Sequence, residues 1–187
     1  RNRRGISERQ EIAERVADAV GRALDCTQPE PDAEDTFTHV TKNLVLTPVQ
    51  VTKEERDWAE GEHKRCVEQG DTDTWWPIRI QQVVDIADGL TQADPVPAEI
   101  HILRIGDAVI TMNSFELFLD YGHRIKARSP AAQTFVIQLA GPGWYLPTER
   151  AKKAGGYGAM PAVCSAGPEG GAELVEATLD AVEELFA

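Results

Sequence analysis

Residues 99–157 read EIHILRIGDAVITMNSFELFLDYGHRIKARSPAAQTFVIQLAGPGWYLPTERAKKAGGY, and this stretch decides the fold. Ile100, Ile102, Leu103 and Ile105 form an apolar, β-branched run. Gly106-Asp107 supplies turn chemistry, and Ala108, Val109, Ile110 and Met112 continue the apolar run, so a strand–turn–strand unit is predicted. Both faces of these strands are apolar, the pattern of strands covered on both sides. Asn113-Ser114 then opens a helical pattern to about Ala127, with Phe115, Phe118, Leu119 and Ile125 as its buried stripe. Glu116 is thereby expected in the first helical turn after a core strand, a common position for active-site groups in α/β proteins. Thr134 to Leu139 reads as another short strand. The long glycine- and proline-rich segment after it carries Trp144, Tyr145 and Tyr157, and such loops in compact domains are commonly functional.

The flanking sequence gives helices. Ser7 and Gln10 resemble a capping box ahead of Ile12, Val16, Val20 and Leu24, which recur every four residues to about Asp25. Residues 1–6 are basic and expected to fray, and 27–37 are rich in proline and acid, as in a surface loop. Thr38 to Val51 is strand-like, with Pro48 confining it to an edge or ending it. Thr52 and Glu55 form a second capping box, opening a helix to about Val67. Trp75-Trp76-Pro77 opens a third helical segment, with Gly89 near its end. Pro168 marks the first turn of a last helix, whose Leu174, Val175, Leu179, Val182, Leu185 and Phe186 are expected to face the core. The expected fold class is α/β, a mixed sheet flanked by helices, within one domain or half-domain spanning residues 1–187.

The 187 residues suffice for one real core. A net charge of −12 repels a phosphate backbone and argues against nucleic acid as a partner. No stretch is apolar enough for a transmembrane segment, and the basic start lacks the apolar run of a signal peptide. Cys26, Cys66 and Cys164 are odd in number and widely spaced, which fits a reducing compartment such as the cytoplasm rather than a disulfide framework.

Candidate chemistry rests on few residues. Glu116 reads either as a metal ligand or acid/base, or as a carboxylate complementing a helix dipole. Tyr157, between Gly155-Gly156 and Gly158, reads as a group brought close to a metal or oxyanion, or as a packed loop tyrosine. Trp144-Tyr145 beside Pro147 lines an apolar cleft or plugs the loop. His39, His63, His101 and His123 include no i, i+4 or HxH pair, so there is no local zinc-binding unit. Ser114, Ser129 and Ser165 lack a nucleophile-elbow context, and no phosphate-loop motif occurs.

Taken in order, Ile105-Gly106-Asp107, Glu116, Gly122 to Lys126, Tyr145 to Thr148 and Gly155 to Tyr157 resemble the neutral/alkaline non-lysosomal ceramidase family. That family has an IGD strand, a PGE glutamate, a GLRIK-like helix, a GYLPT loop and a GGYE motif. Here PGE is SFE and GGYE is GGYG, and the family's upstream histidine and serine motifs and its trailing immunoglobulin-like domain are absent. The resemblance implies the C-terminal part of a bacterial ceramidase-like, zinc-dependent amide-bond hydrolase. It implies Glu116 and Tyr157 as zinc ligands, with Trp144 and Tyr145 along the substrate cleft. It also implies that the remaining ligands come from an N-terminal segment or chain of the same protein. Without that half, apolar surface near Trp144, Tyr145 and Met160 is expected to be exposed and to drive self-association. The rival expectation is a non-catalytic domain of the same fold, acting in binding or assembly.

Overall fold

The computed structural model of the chain describes residues 5–28 and 36–187. Residues 1–4 of the basic start and 29–35 of the proline- and acid-rich loop lie outside the described residues. The chain divides into two units, Arg1–Glu34 and Asp35–Ala187.

Among the described residues the first unit is a single helix, α1 (Glu8–Asp25). The Ser7 hydroxyl accepts the Gln10 backbone N–H at 3.2 Å, satisfying one of the free amides of the first turn. The Gln10 side chain reaches Glu14 at 2.9 Å, so the reciprocal half of the expected capping box is not made. Ile12, Val16, Val20 and Leu24 all lie exposed along it.

The second unit is a mixed α/β structure around a four-stranded sheet of order β1-β2-β3-β5. β1 (Phe37–Leu46) pairs antiparallel with β2 (Val96–Ile105), which pairs antiparallel with β3 (Ala108–Met112). The β2–β3 hairpin turns at Gly106, whose φ of 55° is the left-handed conformation a tight turn demands. β3 pairs in parallel with β5 (Gln133–Ile137), and the crossover this requires is supplied by α4 (Leu119–Arg128). β1 is an edge strand and ends at Leu46, ahead of Pro48, which itself makes only an isolated bridge to Ala166.

One face of the sheet is covered. α6 (Pro168–Phe186) lays Leu174, Val175, Leu179 and Val182 on Ile100, Ile102 and Val109, and α4 adds Tyr121 and Ile125. Each such aliphatic side chain, fully buried, contributes roughly 1.5–3 kcal/mol. The other face corrects the expectation of cover on both sides. In register across the strands it carries His39, Leu103, Ile110 and Phe135, with Phe37, Ile105 and Ile137 alongside. Phe37 is 71% exposed, and Ile105, Phe135 and Ile137 are exposed as well. Of the residues expected to expose apolar surface, Trp144 is exposed, whereas Tyr145 and Met160 are half-buried. His39 and His101 stack on that sheet face, with Nε2 of one 3.0 Å from Nδ1 of the other, and Glu99 takes the remaining His101 nitrogen at 3.0 Å.

A second core joins α2 (Lys53–Glu68) to α3 (Trp75–Ala87) through Ala59, Ile80, Val83 and Val84. The Thr52–Glu55 capping box of α2 is complete, with both reciprocal bonds present. No helix of the described residues is long and apolar enough to cross a membrane.

Candidate functional site

The segment after β3 departs from the helical expectation. Ser114 and Phe115 form a bend, and Glu116–Leu117 form a short strand, β4, in parallel register with β6 (Tyr145–Leu146). Helix α4 begins only at Leu119, which is 72% exposed. The reason is local and then tertiary. The buried Asn113 carboxamide oxygen accepts the Phe115 N–H at 3.1 Å, a turn that competes with helix. The Glu116 N–H then donates to Trp144 O at 3.1 Å and the Leu117 N–H to Gln138 Oε1 at 2.8 Å. Glu116 is therefore a strand residue whose side chain is not placed by a helix dipole.

The glycine-rich segment, expected as a loop, is substantially folded. It holds β6, then α5 (Glu149–Ala154) capped by Thr148, then two single 3₁₀ turns, Tyr157–Ala159 and Pro161–Val163. Gly155 and Gly156, with φ of 72° and 115°, reverse the chain after α5 and deliver Tyr157.

The four residues singled out in the sequence come together. Glu116, Trp144, Tyr145 and Tyr157 line one open cavity of about 370 Å³, with Pro142 and Val163. Glu116 and Tyr145 are directly opposite in the β4–β6 pair. The neighbouring Glu116 carboxylate, ahead of burial, raises the Tyr145 phenol above its ordinary value of 10. Tyr145 is thus a neutral phenol at neutral pH. The Tyr157 ring meets the Tyr145 ring edge-on at 5.8 Å and stacks on Trp76 at 6.4 Å, leaving Tyr157 51% exposed.

Trp76 and Glu62 were not singled out in the sequence, although Trp75-Trp76-Pro77 at a helix start was the available signal. The Trp76 indole N–H donates to Glu62 Oε1 at 3.0 Å, and Arg65 pairs with the same carboxylate, its Nε 2.7 Å from Oε2. Arg65 first, then Trp76, hold the Glu62 carboxyl down at about 2. Because that value is below the unfolded one of about 4.5, the stabilisation is complete above pH 4.5 and is lost as pH falls from 4.5 towards 2. Glu62 is partly exposed, so the contribution is about 1 kcal/mol. Near-ultraviolet dichroism of the tryptophans should change over that window in the native chain. In Glu62→Gln the change should be lost, since the amide still accepts from Trp76 but no longer titrates.

A carboxylate and two phenols are oxygen donors suited to a divalent cation, but Glu116 and Tyr157 alone leave a tetrahedral zinc incomplete. No histidine lines this cavity, and among the described residues no cluster of three His, Cys, Asp or Glu side chains converges. Cys164 is no nucleophile here: burial pushes its thiol up to about 12, which keeps it protonated. Comparison with protein-family models, with curated proteins and with solved structures finds no match to this chain.

Proposed function

We propose that the chain supplies part of the site of a zinc-dependent, ceramidase-like amide-bond hydrolase. In this reading Glu116 and Tyr157 hold the ion, Trp144 and Tyr145 line the substrate cleft, and the remaining ligands come from an N-terminal segment or chain of the same protein. The observation that carries it is that Glu116 and Tyr157, far apart in sequence, line one cavity. When bound, zinc would supply a water of pKa about 7 and polarise the scissile carbonyl. The chain's own residues do the positioning. Tyr145 stands opposite Glu116 in the β4–β6 pair, and Trp76 and Tyr145 pack against the Tyr157 ring, which limits the rotamer freedom lost on ligation. The aromatic walls favour an apolar acyl group beside the ion.

A second reading is a non-catalytic binding domain. It is favoured by the run of ring contacts from Phe118 through Tyr145 and Tyr157 to Trp76, a continuous aromatic surface with no metal needed to hold it. Calorimetric titration with zinc separates the two. The hydrolase reading expects weak binding by this chain that is strongly weakened in Glu116→Gln and lost in Tyr157→Phe. Tight binding that survives loss of both side chains places the site elsewhere.

A further inference from the structure

Beside the Glu116 cavity, and sharing its Trp144 wall, lies a second cavity of about 280 Å³. One face of α3 supplies a side of it, with Arg79, Gln82, Val83 and Ile86 at the i, i+3, i+4, i+7 spacing that puts them in line. Val49 and Val51 continue the apolar lining, and Ser114 and Ser165 add hydroxyls.

Arg79 is the unusual member. Its guanidinium lies 4.7 Å over the Trp144 ring, donates from Nε to Ala162 O at 3.1 Å, and from Nη1 to Gln82 Oε1 at 2.8 Å. Five N–H donors are available on an arginine, so three are left without a partner among the described residues. The group is half-buried, and burial pulls its pKa below the ordinary arginine value. The sequence has 31 acidic residues against 19 basic ones. Arg56, Arg65, Arg128 and Arg150 each pair with a carboxylate. Arg79 pairs with none among the described residues, although a partly desolvated cation gains most from one. Asp94 lines the same cavity but makes no ion pair with it.

We propose that the Arg79 cavity binds the carboxylate of a small monoanionic ligand with a short aliphatic body. The donors left for a carboxylate are the two N–H groups of Nη2 and the second one of Nη1. The body of the ligand lies against Val49, Val51, Val83 and the Trp144 ring. The exposed Asp94 carboxylate disfavours a dianion such as phosphate, whose second charge has no cation to meet it. The assignment does not depend on the zinc reading, since Arg79 and the aliphatic lining stand outside the Glu116 cavity and only the Trp144 side of the wall is common to both.

The test is an NMR titration of the full chain with hexanoate, hexanamide and inorganic phosphate, following backbone amide shifts. Hexanoate should shift residues around Arg79, Trp144 and Ser165. Hexanamide, of the same shape without charge, should bind about tenfold more weakly or worse, and phosphate should not compete. Arg79→Gln should reduce hexanoate to the level of hexanamide, with Arg79→Lys intermediate because it keeps charge but loses the fork. Should Arg79→Gln fail to fold, the comparison of hexanoate with hexanamide on the unaltered chain still decides. Equal affinity for hexanoate and hexanamide, tighter binding of phosphate than of hexanoate, or shifts confined to other parts of the chain would each overturn the assignment.

Discussion

Gly171→Ala should destabilise the Asp35–Ala187 unit by about 2–3 kcal/mol, a fall in Tm of roughly 4–12 °C. Helix propensity alone argues the other way, since alanine inside a helix is favoured over glycine by up to about 1 kcal/mol. The steric term is larger. A Cβ on Gly171 would stand 2.2 Å from the Tyr121 hydroxyl oxygen and 2.3 Å from the ring carbon bearing it. Tyr121 cannot swing aside: it is fully buried, and its hydroxyl donates to Pro147 O at 2.8 Å with Pro168 O 3.3 Å away. Burial raises that phenol to about 12, so it remains a donor over the usable pH range. The contact ties α4, the Pro147 segment and the start of α6 together. Gly122→Ala on α4 is the control, because a Cβ there meets nothing within 4 Å and the propensity gain should appear unopposed. Thermal unfolding of the two variants should therefore shift in opposite directions.

Gly143→Ala should act on the candidate site itself. A Cβ there would lie 2.0 Å from the Ser114 carbonyl oxygen and 2.5 Å from its carbon, which are backbone atoms with no rotamer to change. The segment carrying Trp144 and Tyr145 must move away from the one carrying Glu116. The bond from Glu116 N–H to Trp144 O should break first, and with it the β4–β6 pair that it opens. A local cost of about 2–3 kcal/mol corresponds to a fall of roughly 30- to 150-fold in hydrogen-exchange protection at the Glu116 amide. Amides of the β1–β2 pair, remote from this clash, should keep their protection. Unchanged exchange at Glu116 would mean that the two segments are not held together in this way.

Much of the architecture was legible because it is set by local chemistry. Gly106-Asp107 between two apolar runs specified the hairpin, Thr52 with Glu55 specified the start of α2, and Pro168 the start of α6. The helical spacing of Phe115, Phe118 and Leu119 predicts a helix at Glu116. What overrides that spacing is a pairing with Tyr145, distant in sequence, and the Asn113 turn before it. That Glu116, Trp144, Tyr145 and Tyr157 line one cavity is not readable from any periodicity, and only the family resemblance links Glu116 to Tyr157 in the sequence. Apolar character on both faces of a strand does not reveal which face is covered, and so the exposed Phe37–Phe135 face could not be read in advance. Arg79 drew no notice within the apolar pattern of α3, because the lack of a carboxylate partner is a property of the folded chain alone.

The central claim is that Glu116 and Tyr157 ligate one metal ion, and ultraviolet difference spectroscopy during zinc titration tests it most directly. A phenol that binds zinc gives up its proton, so tyrosinate absorption should grow and saturate with added zinc at a pH where the free chain shows none. The account predicts that this signal is lost in Tyr157→Phe, is strongly weakened in Glu116→Gln, and persists in Tyr145→Phe. Absence of any tyrosinate signal at saturating zinc, or a signal that persists undiminished in Tyr157→Phe, would contradict it.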